Sequence, residues 1–319
     1  MSLIEQAAKR LQELQAAGAE LPDTLLRSSG DKVQKDTTPT PEAFVRALEA
    51  LPPGTAQDLA AAGPAGVHSR VARAPPRHVD INLAELATRG YLTPEAATSQ
   101  TADEFRVIKR PIIRNAIGQA GANGKIRNLV MITSALPAEG KTFTALNLAM
   151  SVAMEFDSTV LLVDGDVAHP SLPGLLGVPN SPGLLDLLTR DDLDVADVLI
   201  RTNVEKLTVM PAGSRQRRAT ELLASEQMAN LLRELATRYS DRIIIFDSPP
   251  LLPTTEARVL ATHMDQIVMV VAADTTTQHT LSQALAMIES CEIVLMMLNK
   301  ASSTDVGAYY GYYAGDEAA

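Results

Sequence analysis

The sequence predicts an α/β fold built on a mostly parallel sheet with helices on both faces. Two observations predict it. From about residue 128 to residue 300, short β-branched or apolar runs alternate with stretches of helical period, and those runs are apolar nearly throughout. A strand that is apolar on both sides has to be buried on both faces, as happens in a parallel sheet between two helix layers. At 319 residues the chain is longer than a single small module and fits about two organisational units.

The elements follow in order. Ser2 to Ala17 carries Leu3/Ile4, Ala7/Ala8, Leu11 and Leu14 on one stripe with charges opposite. It reads as an amphipathic helix within residues 1–26 that docks on its own chain or on a partner. Residues 27–80 read as a disordered linker, with seven prolines in the 38 residues from Pro39 to Pro76 and at most a short helix at Glu42–Leu51. Periodicity returns at Asn82, and Thr101–Ala116 predicts a helix broken or bent at Pro111. After the glycine-rich break at 118–124, strands are expected at Asn128–Thr133, Thr159–Val163, Leu207–Met210, Arg242–Phe246, Gln266–Ala272 and Ile293–Leu298. Helices are expected at Thr142–Met154, Thr220–Tyr239, Thr255–His263 and Gln278–Ser290. Residues 81–300 thus form the nucleotide-site domain argued below, and 301–319 a tail.

Composition excludes several functions. Lys+Arg 28 against Asp+Glu 38 leaves a net charge of −10, which argues against gripping nucleic acid or an anionic membrane by bulk charge. The small cluster Arg215, Arg217 and Arg218 does not change that and reads as solvated. One cysteine, Cys291, rules out an internal disulfide and reads as a buried structural thiol. The five histidines show no ligand spacing. Apolar runs such as Ile267–Ala273 fall far short of the roughly 20 residues of a membrane span, and the N-terminus lacks a signal-peptide layout, so a cytoplasmic chain is expected.

Chemistry concentrates at three strand ends. Ala135-Leu136-Pro137-Ala138-Glu139-Gly140-Lys141-Thr142 follows the first strand and opens a helix, where backbone N–H groups and a helix N-terminus can wrap phosphates. Ala138, Glu139, Gly140, Lys141, Thr142 and Phe143 are the expected phosphate-binding positions. Lys141 would reach the β/γ-phosphates, and the Thr142 hydroxyl would ligate Mg²⁺. Ala135 stands where the general pattern has glycine. Val160-Leu161-Leu162-Val163-Asp164-Gly165-Asp166 and Ile243-Ile244-Ile245-Phe246-Asp247-Ser248-Pro249-Pro250 put further carboxylates just past two other strands. Ligand crevices of open α/β sheets lie outside the carboxyl ends of the strands, so all three motifs converge on one edge. Mg²⁺ keeps several waters and needs few protein ligands; Thr142, Asp164 and Asp247 suit it. The fold class is therefore a P-loop NTPase.

The spacing of Ala135–Thr142, then Asp164-x-Asp166 with Pro170, then Asp247-Ser248-Pro249-Pro250, resembles the bacterial protein-tyrosine kinases of capsule and exopolysaccharide synthesis, with their Walker A, A′ and B motifs. The resemblance runs from about Asp103 to the C-terminus, and the opening helix and linker resemble the stand-alone cytosolic subgroup encoded with exosortase-type systems. Partition and cell-division ATPases carry a lysine early in the loop, where this chain has Leu136. Asn299-Lys300-Ala301-Ser302 lacks the aspartate of a guanine-reading motif, and the resemblance implies that Asn299 is an adenine-side contact. Ala168 stands where many members have arginine.

The resemblance implies an ATP- and Mg²⁺-dependent tyrosine autokinase. Lys141, Asp164 and Asp166 would be catalytic, with either Asp164 or Asp166 taking the tyrosine proton. Four of the six tyrosines, Tyr309, Tyr310, Tyr312 and Tyr313, crowd into five positions. On composition alone this run is a low-complexity terminus; within such a family it is the phosphoacceptor. Asp103, Arg106 and Lys109 occupy a helix position where the family has a Glu-x-x-Arg-x-x-Arg set that packs subunits in a ring, so a homo-oligomer is expected; the alternative reading of the three is a solvated charged face. A membrane polysaccharide co-polymerase, or chain-length determinant protein, is the implied activator, which would hold the chain peripherally at the inner membrane. Two other classes share the nucleotide site: a partition-type ATPase switch, and a catalytically silent nucleotide-binding regulatory subunit.

Overall fold

The structure, a computed structural model, describes residues 77–96, 98–117, 126–179, 181–238 and 241–301. The expectations for the N-terminal helix, for the linker up to residue 76 and for the tyrosine tail lie outside the described residues.

Eight strands form one sheet: β1 (Arg77–Val79), β2 (Leu129–Ser134), β3 (Thr159–Asp164), β4 (Ile200–Thr202), β5 (Leu207–Met210), β6 (Arg242–Asp247), β7 (Gln266–Ala272) and β8 (Ile293–Asn299). Their order is β1-β4-β5-β3-β6-β2-β7-β8. From β5 to β8 all neighbours are parallel, while β4 meets β5 antiparallel and carries β1 beside it. The six strands anticipated from the apolar runs are all present. β1 and β4 were not anticipated, because three residues are too few to show a period. β1 also lies inside the stretch read as linker.

The central strands β2, β3, β6 and β7 are buried almost end to end. Alternate side chains feed two cores. Val130, Ile132, Val160, Leu162, Ile243 and Ile245 pack with helices α2 (Gln100–Ile117) and α3 (Lys141–Ala153). Met131, Leu161, Val163, Ile244 and Phe246 pack on the other face. There they meet α8 (Glu226–Arg238), α9 (Thr255–Ala261) and α10 (Gln278–Ala286). Five shorter helices complete the set: α1 (Leu83–Thr88), α4 (Leu172–Leu176), α5 (Leu184–Leu187), α6 (Val195–Val198) and α7 (Ala219–Leu223).

Three local expectations are corrected. Of the two alternatives at Pro111, a break or a bend, the break is excluded, since the helix continues through it; Ile112 is fully buried and Lys109 is anchored two residues before the proline, so packing holds the turn that lacks an N–H. The single helix expected over Thr220–Tyr239 is two, α7 and α8. Ser225 separates them, its hydroxyl accepting from Met228 N at 3.2 Å as an N-cap does. Lys109 does not stand on a charged surface face. It is 4% exposed, donates to the Ser151 carbonyl at 2.6 Å and pairs with Glu155 at 2.8 Å, so it ties α2 to α3 within the chain. Arg106 is exposed and pairs with Asp103. Cys291 is half-buried, its thiol directed at the carbonyls of Met264, Asp265 and Ile293.

Candidate functional site

The loop from Ala135 to Gly140 joins β2 to α3, the strand–loop–helix context that the sequence required. Ala138 (φ 61°) and Gly140 (φ 102°) both take left-handed backbone. Gly140 has a second reason to be glycine: a Cβ there would lie 2.0 Å from Nδ2 of Asn299. Gly140 is the N-cap of α3 and offers no capping side chain, so the first-turn N–H groups face the loop without one. Glu139 is 4% exposed. Its carboxylate accepts from Leu136 N at 2.7 Å and meets the Thr276 hydroxyl. Its side chain therefore braces the loop, and only its backbone is left for a ligand. Phe143 likewise packs its ring on Tyr91, with centroids 5.2 Å apart, and on Phe105 at 6.5 Å.

The carboxylates gather at the adjoining strand ends. Asp164 and Asp247 are register partners on β3 and β6, and parallel neighbours lie about 4.8 Å apart. Asp164 is fully buried and Asp247 is 1% exposed. Burial, then repulsion from Asp247, pushes Asp164 up to about 8, against the Leu172 N–H, which donates to Oδ2 at 3.1 Å, and the nearby Asp166 N–H. Burial pushes Asp247 up to about 7, opposed by the nearby Thr142 hydroxyl and the Lys141 ammonium. Oδ1 of Asp164 and both oxygens of Asp247 have no hydrogen-bond partner. Thr142 Oγ1 lies 3.2 Å from Ser171 Oγ, and both hydroxyls border Asp247. Asp166 is half-buried and accepts from His169 N at 3.0 Å. Burial lowers the Lys141 ammonium, with Asp247 and Asp166 pulling the other way.

Buried acceptors without donors are costly unless something supplies positive charge. Two carboxylates and two hydroxyls suit a small hard cation that keeps water and phosphate ligands. Among the described residues no three His, Cys, Asp or Glu side chains form a metal cage of their own.

Lys141, Thr142, Asp164, Asp166 and Asp247 are thus brought together at one sheet edge. Asn299 joins them from the far side of the loop, with its amide donated to the Glu139 carbonyl at 2.8 Å. Sequence reasoning missed Ser171 and Thr276, which sit outside any recognised spacing, and it gave Lys300 no role. Arg215, read as solvated, is exposed and donates to the carbonyl of Ala168 at 2.6 Å. Beside Pro170 a cavity of about 680 Å³ opens, lined among others by Pro173, Arg190, Ser214 and Arg215.

Residues 132–300 match the family model of an AAA domain. The chain is 30% identical over 226 residues to the tyrosine-protein kinase YwqD of Bacillus subtilis, covering 70% of this chain and 91% of that protein. The chain belongs to the bacterial tyrosine-protein kinase family. The kinase domain of the Escherichia coli tyrosine kinase ETK superposes with a TM-score of 0.51 at 28% identity, covering 55% of this chain and 69% of that one. The succinoglycan biosynthesis transport protein ExoP of Rhizobium meliloti is 31% identical over 67% of this chain, which spans only 27% of ExoP. As a tyrosine-kinase family member the chain carries the three-motif site on the mostly parallel sheet described above. No helix among the described residues is long and apolar enough to cross a membrane.

Proposed function

We propose that this chain is an ATP- and Mg²⁺-dependent protein-tyrosine autokinase. It phosphorylates its own cluster Tyr309, Tyr310, Tyr312 and Tyr313 and thereby regulates exopolysaccharide synthesis or export. The observation that carries this reading is the pair of buried, unpartnered carboxylates, Asp164 and Asp247, beside Thr142 at the mouth of a phosphate loop.

Backbone N–H groups of Ala138–Phe143 and the Lys141 ammonium hold the phosphates, in line with a helix N-terminus as an anion site. Thr142, Asp164 and Asp247 would hold Mg²⁺, which supplies charge neutralisation to the transferring phosphoryl group. The tyrosine oxygen attacks the γ-phosphorus, the bond to the β–γ bridging oxygen breaks, and ADP leaves. Asp164 or Asp166 takes the phenol proton. Phosphoryl transfer is chiefly positioning and electrostatics, so the acceptor must reach this edge. The cavity beside Pro170 offers a route; Arg190 in its lining is paired with Asp192, and Arg215 is the cation there that could meet a tail carrying Asp305, Asp316 and Glu317 with no basic residue.

Relatives named for exopolysaccharide work support a membrane polysaccharide co-polymerase as activator, with the chain held peripherally at the inner membrane through it and acting as a homo-oligomer. Nucleic acid is not among its partners in this reading. Incubation of the full chain with ATP and Mg²⁺, with the activator's cytosolic segment present, should yield phosphotyrosine. Lys141→Met and deletion of residues 309–313 should each abolish it. Label persisting in both controls would sink the reading; ATP turnover without label would favour a switch ATPase. Mixing the two inactive proteins should label the intact tail if transfer runs between subunits.

A further inference from the structure

Three non-glycine residues take left-handed backbone among the described residues, and they lie around one loop: Ala138 (φ 61°), Asp274 (φ 59°) and Lys300 (φ 59°). Such conformations are uncommon and persist where neighbouring contacts over-determine them. Here the contacts are visible. Lys300 Nζ donates to the Ala138 carbonyl at 2.7 Å, and Asn299 Nδ2 donates to the Glu139 carbonyl at 2.8 Å. Thr276, two residues past Asp274, binds the Glu139 carboxylate through its hydroxyl. Asn299 itself is held in place by the backbone, since Ala273 N donates to its carbonyl at 2.8 Å.

The consequence follows from peptide geometry. A trans peptide is planar, with its C=O and the next residue's N–H pointing in opposite directions. Fixing the carbonyls of Ala138 and Glu139 from the β8 side therefore turns the N–H groups of Glu139 and Gly140 away from β8, toward the mouth of the loop. The Glu139 side chain binds Leu136 and Thr276 rather than either peptide, so the two donors from β8 are the side-chain hydrogen bonds that hold these carbonyls among the described residues. A Cβ at position 140 would lie 2.0 Å from the Asn299 amide nitrogen, so the amide can sit here only because position 140 has no side chain.

We propose that Asn299 and Lys300 are positioning residues that hold the phosphate loop in its anion-receiving shape, setting nucleotide affinity rather than the rate of phosphoryl transfer. This gives Asn299 a role at the loop beside the adenine-side contact that the resemblance implies, and it rests on the proposed function only in requiring a nucleotide at that loop. Both residues act through the loop backbone, whose N–H groups are the ones that would meet the phosphates.

The test is binding of a fluorescent N-methylanthraniloyl ADP to the full chain, with thermal unfolding alongside. Lys300→Ala should weaken binding by about tenfold, the size expected for one charge-assisted hydrogen bond, and Asn299→Ala by a few-fold. Lys300→Arg, which keeps a charged donor, should stay within about threefold of the native chain. At saturating ATP the Lys300→Ala chain should form phosphotyrosine at a rate within about twofold of native, so that KM moves and kcat does not. Native affinity in Lys300→Ala, or an affinity in Lys300→Arg as poor as in Lys300→Ala, would overturn the proposal. Should Lys300→Ala fail to fold, Asn299→Asp turns a donor into an acceptor at the same size; it should lose at least as much affinity, and unchanged binding overturns the proposal. A native chain that binds the ADP probe but makes no phosphotyrosine would remove the autokinase reading and leave this test intact.

Discussion

The two sides of the phosphate loop are built on opposite terms. On the β8 side every carbonyl and carboxylate in question has a donor: Lys300, Asn299, Leu136 and Thr276 saturate Ala138 and Glu139. On the β3–β6 side three buried carboxylate oxygens have none, and two like charges are forced into register. Buried polar groups are ordinarily satisfied, so a satisfied wall facing an unsatisfied one marks which is scaffold and which awaits a ligand. The difference teaches that stability and function are separable here by substitution.

The largest effect should come from the unsatisfied wall. Asp247→Asn should lower phosphotyrosine formation by at least about 100-fold, since several kcal/mol of transition-state charge stabilisation depends on the cation. The same change should raise the stability of the ligand-free chain at pH 8 by on the order of 1 kcal/mol, because a buried charge next to another is removed. Calorimetry beside the kinase assay checks both signs; a chain made both inactive and less stable would break the comparison.

Next comes a site remote from both walls. Lys109→Met strips the buried partner from Glu155, whose carboxyl the Lys109 hydrogen bond holds below its usual range. Arg110, 3.4 Å from Glu155, compensates in part, so denaturant unfolding should report a loss of about 2 kcal/mol with ADP affinity unchanged. Gly140→Ala should follow, weakening ADP binding about tenfold through left-handed strain and collision with Asn299. Adding Asn299→Ala should relieve the collision and recover part of the stability but not the strain, which a double-mutant cycle reads directly.

The last effect is spread over pH. The unfolded aspartates titrate near 3.9, while Asp247 and Asp164 in the folded chain sit at about 7 and about 8. The folded chain therefore binds more protons across that window. Their contribution to stability is full below pH 4 and is lost as pH rises through 7 and 8. Between pH 5 and 8.5 the ligand-free melting temperature should fall, and the fall should flatten in Asp164→Asn/Asp247→Asn. An equal slope in that double variant would place the titration elsewhere.

Much of this was legible in the sequence because both signals are local. Continuous apolar runs give β2, β3, β6 and β7, and the residues just past them, Lys141, Thr142, Asp164, Asp166 and Asp247, do meet. What was not legible depends on long-range pairing. Lys300 reaches Ala138 across 162 positions, and Thr276 reaches Glu139 across 137. No spacing rule links residues so far apart. Ser171 meets Thr142 only because a loop folds back after β3, and Lys109 read as a surface charge because nothing local says that Glu155 will face it. β4 escaped notice because its three residues are held by β1 and β5 rather than by a period of their own.

The account turns on the claim that the unsatisfied wall awaits a cation and the satisfied wall does not. ADP affinity with and without Mg²⁺, in the native chain, Asp247→Asn and Lys300→Ala, tests it most directly. Mg²⁺ should strengthen ADP binding by at least about tenfold in the native chain and in Lys300→Ala, and should add almost nothing in Asp247→Asn. A Mg²⁺ increment that survives in Asp247→Asn at its native size would contradict it.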